Sequence, residues 1–200
     1  DIRIAYGESS GIALVATAAH AFRMRHPQVR FCLHSGNADY VIERLERGLG
    51  DFAVLFSYPG VERYEYVRLP HTDAWGVYLP EGDPLVAKGS ILPEDLEGLP
   101  LIASDQALET DELSAWFGES LARAKVVATY TLGYNALVFV REGAGCMLGL
   151  DALAPTGPGT GLEFRPLWPP VVAHIDFAWR RGQKLSNAAS MFLEDFKAAL

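Results

Sequence analysis

Gly7-Glu8-Ser9-Ser10-Gly11 is the stretch whose residue types and spacing could do chemistry. It follows a short apolar run, Ile2 to Tyr6, and passes directly into a helical pattern, Ile12 to Arg25. The first backbone N–H groups of a helix have no intrahelical partner, and the positive end of the helix dipole lies behind them. With two serine hydroxyls beside them, such a turn can receive an anion or another acceptor-rich small molecule. The competing role for Ser9 or Ser10 is to cap the helix, the commonest task of serine at this place. The turn alone leaves both open.

Gly7, Ser9 and Gly11 also fit G-x-S-x-G, the nucleophile elbow of serine hydrolases, which stands between a strand and a helix. Asp151 and His174 follow in the chain order of that triad. The elbow normally comes after several strands have built the sheet, whereas here it follows the first, which makes this the weaker reading. The five histidines show no metal-ligand spacing, and no cysteine pair supports them, so no metal site and no cofactor are expected. Cys32 and Cys146 lie far apart in apolar runs and read as two buried thiols.

Half of the 200 residues are hydrophobic and a fifth are charged, enough for one large domain or two small ones. No apolar run approaches the roughly 18 residues that a membrane helix needs. The chain begins inside a strand pattern without a basic leader, which leaves room for a preceding segment. The formal net charge is −8, which repels phosphate, so these residues alone are not expected to hold DNA.

The elements that must position the opening turn follow from hydrophobic periodicity. Ile12, Val15, Ala16, Ala19 and Phe22 recur at helical spacing, and Leu14, Ala18 and Ala21 form a second stripe on the same helix. That stripe either docks on a second copy or is covered by the C-terminal helix. Val29 to His34 alternates, with Val29, Phe31 and Leu33 predicted inward. A helix over 39–49 and a wholly apolar strand, Phe52 to Phe56, come next. Strand starts at Ile2, Val29 and Phe52 are 27 and 23 residues apart, the length of βαβ units in a parallel sheet. Ligands in such sheets bind at the carboxyl ends of the strands. Strands over 64–69 and 74–79 lead onward, and a second strand–turn–helix–strand series follows, with helices over 111–122 and 136–142. A long strand from Val171 to Trp179 and a helix capped by Ser186 close the chain. The expected architecture is α/β, with two Rossmann-like lobes joined by two crossover segments and a ligand cleft at their junction. Lobe I takes residues 1–75 and 171–200, and lobe II residues 76–170. The candidate ligand-binding residues are Ser9, Ser10, Gly36, Asn37, Ser57, Ser104, Gly133, Tyr134 and Asn135.

Several short patterns, in this order and spacing, resemble one family. They are the opening strand with Ser9-Ser10, His26-Pro27, Gly36-Asn37, Leu45-Glu46-Arg47-Gly48 with Asp51, Gly82-Asp83-Pro84-Leu85, the run Ile91 to Ile102, and Glu142-Gly143-Ala144-Gly145. Together they resemble the effector-binding domain of LysR-type transcriptional regulators, across essentially the whole chain. The resemblance implies a type 2 periplasmic binding protein fold and no enzymatic activity. It implies a cytoplasmic regulator with an N-terminal winged helix-turn-helix outside these residues, which alone would contact promoter DNA. It implies a small-molecule effector, such as a carboxylate or other metabolite, and antiparallel homodimers within tetramers. Ala38 stands where the family often has a ligand-contacting Ser or Thr, and Leu150 where a Pro often follows. A free-standing solute-binding protein of the same fold is the alternative.

Overall fold

The computed structural model describes residues 1–200, the side chain of Glu109 apart. The chain divides into two compact units, Asp1–Thr72 with His174–Leu200, and Asp73–Ala173.

Unit 1 opens with β1 (Ile2–Tyr6), α1 (Ile12–Arg25), β2 (Phe31–Ser35), α2 (Ala38–Glu46) and β3 (Phe52–Phe56). β1 pairs in parallel with both β2 and β3, as the 27- and 23-residue spacing requires. Gly48, at φ +67°, stops α2, because its missing Cβ tolerates the left-handed geometry there. After β4 (Glu65–Pro80) and the residues of unit 2, the chain returns as β9 (Val172–Trp179), antiparallel to β3, and ends in α5 (Asn187–Ala198). Ser186 caps α5, its hydroxyl accepting the Ala189 N–H at 3.2 Å.

One side of this sheet packs against α1 and α5. Ile2, Ile4, Phe22, Phe52, Phe177 and Phe192 make its buried centre. The other side packs against α2 through Ala5, Val41, Leu45 and Leu55. Arg68 of β4 holds the buried carboxylate of Asp176 on β9 in a two-pronged pair, Nε to Oδ1 at 3.0 Å and Nη2 to Oδ2 at 3.2 Å.

Unit 2 contains β5 (Pro100–Ser104), α3 (Asp111–Phe117), β6 (Lys125–Tyr130), α4 (Gly133–Arg141), β7 (Cys146–Leu150) and β8 (Leu162–Pro166). Its strand order is β6-β5-β7-β4-β8, parallel where β5 meets β6 and β7, antiparallel where β4 meets β7 and β8. Val77, Leu79, Leu101, Leu113 and Phe117 fill one side. On the other side Tyr78 is fully buried, donating its hydroxyl to the Leu150 carbonyl and accepting the Leu153 N–H. Burial pushes this phenol up to about 12, so it stays a neutral donor.

Several expectations are corrected. β4 is one continuous strand rather than two: residues 70–73, between the two expected strands, continue it, and Asp73 is wholly buried there. The helix expected over 111–122 ends at Phe117, where Gly118 takes φ +52° and a 3-10 turn follows. Leu33 is 58% exposed rather than inward, because β2 is the edge of its sheet and nothing covers that end. Ala16 is exposed as well. Of the second stripe of α1, Leu14 and Ala18 pack onto the apolar centre, Ala21 is exposed, and Arg25 pairs with Asp195 of α5 at 2.9 Å. The face of α1 left in solvent runs instead through Ala13, Thr17, His20 and Met24. Among the described residues, no helix is long and apolar enough to cross a membrane.

Candidate functional site

Within unit 1 the parallel pairing places the turns after β1, β2 and β3 at one end of the sheet. The opening turn is closely built. Ser9 is buried, and its hydroxyl oxygen accepts the Gly11 N–H at 2.9 Å. The N–H groups of Ile12, Ala13 and Leu14 bond to the carbonyls of Ser9, Ser10 and Gly11, at 3.4, 3.1 and 3.1 Å. The donors expected to face a ligand at the start of α1 are therefore largely used inside the turn, and Ser9 serves the turn itself. Gly11 leaves little room for a side chain. A Cβ there would lie 2.0 Å from the Ile175 side chain and 3.1 Å from the His71 ring.

Ser10 does different work. Its hydroxyl lies 3.0 Å from Nε2 of His71, a residue of β4. Gly36 packs tightly beneath Tyr40, where a Cβ would come within 2.2 Å of the ring. Asn37 caps α2, its Oδ1 accepting the Tyr40 N–H at 3.1 Å. Ser57 sits at φ +39° and accepts the His174 N–H at 3.1 Å, while its own N–H donates to the His174 carbonyl. A non-glycine residue at positive φ stores strain, and such strain gathers at functional sites.

In unit 2, Ser104 ends β5 and accepts the Gln106 N–H at 3.3 Å. Gly133, Tyr134 and Asn135 form the first turn of α4, which starts three residues earlier than the sequence suggested. Gly133 is buried, whereas Tyr134 is 66% exposed. Sequence reasoning missed His71, Asp105 and Thr131. Ser10 and His71 are 61 positions apart, and no local pattern couples them.

The hydrolase reading finds no support in this geometry. Ser9 is not at positive φ, as a nucleophile elbow would hold it. The histidine bonded in this turn is His71, on Ser10. Asp151 belongs to unit 2, where its carboxylate accepts the Ala74 N–H at 2.9 Å. Cys146 is buried and its thiol is pushed up to about 11, which keeps it protonated and unreactive. Cys32 is half-buried on β2 in the other unit. No group of three or more His, Cys, Asp or Glu side chains among the described residues could hold a metal ion.

Two α/β units, each with parallel strands followed by turns into helices, define a type 2 periplasmic binding protein-like fold. The sequence matches the LysR substrate binding domain family over residues 1–200, and the chain belongs to that family. It is 24% identical over 200 residues to an uncharacterized HTH-type transcriptional regulator, YybE, of Bacillus subtilis (strain 168). The match takes in 96% of this chain but 65% of that relative's length. Among solved structures, the effector binding domain of QuiR in complex with shikimate is similar at a TM-score of 0.83 and 18% identity, covering 99% of this chain and 95% of that one. The Synechocystis PCC6803 CcmR regulatory domain in complex with 2-PG is similar at 0.77 and 18%, covering 99% and 96%.

Proposed function

We propose that this chain is the part of a bacterial transcriptional regulator that senses a small-molecule effector. The family match over the whole 200 residues carries this reading. QuiR and CcmR, whose folds it shares, are seen in complex with shikimate and with 2-PG, which supports a small-molecule effector here too. The full-length protein works in the cytoplasm and reaches promoter DNA through a winged helix-turn-helix outside these residues. The domain is not an enzyme: it binds and releases its effector unchanged. Ser10, Asn37, Ser57, Ser104 and Asn135 are the side chains proposed to contact ligand. Ser9, Gly36 and Gly133 hold the turns, and Tyr134 is proposed at the rim.

Thermal-shift screening of the chain against a metabolite library tests this, since a ligand at ~100 times its Kd adds about 2.7 kcal/mol. A library without a single stabilising compound would count against it. With a hit in hand, Ser10→Ala should weaken binding by about 1–2 kcal/mol without lowering Tm. Ser9→Ala should do the reverse, lowering Tm because the Gly11 N–H loses its acceptor.

The proposed assembly is an antiparallel, two-fold homodimer pairing unit 1 of one copy with unit 2 of the other, within a full-length tetramer. The face offered is α1 through Ala13, Thr17, His20 and Met24, with Leu33 of β2. Met24 and Leu33 are 72% and 58% exposed, large apolar surface for a chain to leave in water. Met24→Glu with Leu33→Glu should give a folded monomer by light scattering. A dimer of unchanged affinity would remove this face from the interface.

A further inference from the structure

Unit 2 contains a cavity of about 390 Å³, within the roughly 300–1,000 Å³ usual for small-molecule sites. It opens where β5 and β6 end and α4 begins. Ile102, Leu132 and Phe139 give it an apolar wall, and Thr131 and Asn135 supply uncharged polar groups. Among the described residues that line it, Asp105 is the single acidic one and none is basic.

That carboxylate decides which ligands the cavity accepts. Leu132 precedes α4 and has no side-chain acceptor with which to cap it. By itself the helix start would favour an anion. Asp105 already places a negative charge in the same cavity, so a second carboxylate entering would meet repulsion at short range. A hydrogen-bond donor meets the opposite case. A protonated amine would gain a charge-assisted bond to Asp105, and Phe139, 56% exposed, adds an aromatic ring to the lining of the same cavity.

We propose that this cavity receives a protonated amine carried on an apolar body. The proposal rests on the effector-sensing reading and gives the chemical class of one group of the ligand.

Benzylamine and benzoate, alike in size and opposite in charge, are suitable probes. In amide NMR of the 200-residue chain, benzylamine should shift the Thr131 and Asn135 signals and benzoate should leave them in place. Asp105→Asn should weaken benzylamine at least about tenfold, the loss of one bond to a charged group. Asp105→Lys should exchange the preference for benzoate. Asp105 is exposed, so both variants should keep the parent Tm. Phe139→Ala should weaken benzylamine without altering the preference for positive charge. Benzoate shifting the same signals as strongly, benzylamine shifting none, or a benzylamine affinity indifferent to Asp105→Asn would each overturn the proposal. A metabolite screen without hits fails the effector reading. A hit whose affinity ignores Asp105→Asn fails this assignment alone.

Discussion

Phe192→Ala should remove about 3–5 kcal/mol from the stability of unit 1, as truncation of a fully buried aromatic ring does. Phe192 has no solvent exposure and lies at the centre of an aromatic cluster. Its ring centroid is 5.1 Å from Phe31, 5.5 Å from Phe22, 5.8 Å from Phe196 and 6.0 Å from Phe52. These rings come from β1's neighbours on both sides and from two helices, so no single element can move in to fill the void. Urea unfolding followed by fluorescence would measure the loss. Met191→Ala, one residue away but 48% exposed, should stay within about 0.5 kcal/mol of the parent. Equal effects at the two positions would show that α5 does not pack as described.

Arg68→Ala should cost about 3 kcal/mol. The Asp176 side chain is 1% exposed, and removing its partner leaves a carboxylate buried without compensation. The low end of the range for buried pairs applies because the Arg68 side chain is 52% exposed and water can reach part of the pair. The bond to Asp176 raises the guanidinium pKa further above an already high value. A group raised on folding contributes fully below its unfolded pKa, so titration of Arg68 itself brings no pH dependence over the usual experimental range. Arg68→Lys should recover only part of the loss, since an ammonium cannot reproduce the two-pronged geometry. Arg68→Ala combined with Asp176→Asn should recover much of it. A double variant as unstable as Arg68→Ala alone would place the cost in lost packing rather than in the bare carboxylate.

What could be read from the sequence followed local periodicity. The β1-α1-β2-α2-β3 series was visible because each element is short, regular and separated by polar turns. Ser186 and Gly48 marked the ends of helices by chemistry that acts within four residues. Misreadings came where a distant partner overrides a local signal. The strands expected over 64–69 and 74–79 are one, with Asp73 buried at their junction. Leu33 fits the inward pattern of β2, but no later segment arrives to cover it. The stripe of Leu14 and Ala18 meets α5, some 170 residues further along the chain, and periodicity on α1 cannot say which helix will cover it.

The candidate site was legible to the same extent. The turns at Ser9, Asn37, Ser57 and Ser104 were chosen as candidates because ligands in parallel sheets bind at the carboxyl ends of strands. Their division of labour was not. Ser9 and Asn37 spend their oxygens on backbone N–H groups, while Ser10 meets a histidine from another strand. Asp105 and Thr131 matter through the cavity they line, and a cavity has no sequence signature.

β3 is flanked by β1, made earlier, and by β9, made more than a hundred residues later. During synthesis, then, the Phe-Ala-Val-Leu-Phe strand keeps one open edge until residues 172–179 leave the ribosome, whereas every strand of unit 2 has already emerged. Ribosomes add about 5–20 residues each second, so that edge stays unpaired for several seconds. An unpaired apolar edge is a template for wrong partners, including another nascent copy. Residues 172–200 supply both β9 and α5. A ribosome that stalls before them releases a chain with a completed second unit and a first unit that can neither close its sheet nor bury Phe22 and Phe52. Such products should be recognised by chaperones and proteases through residues 1–56.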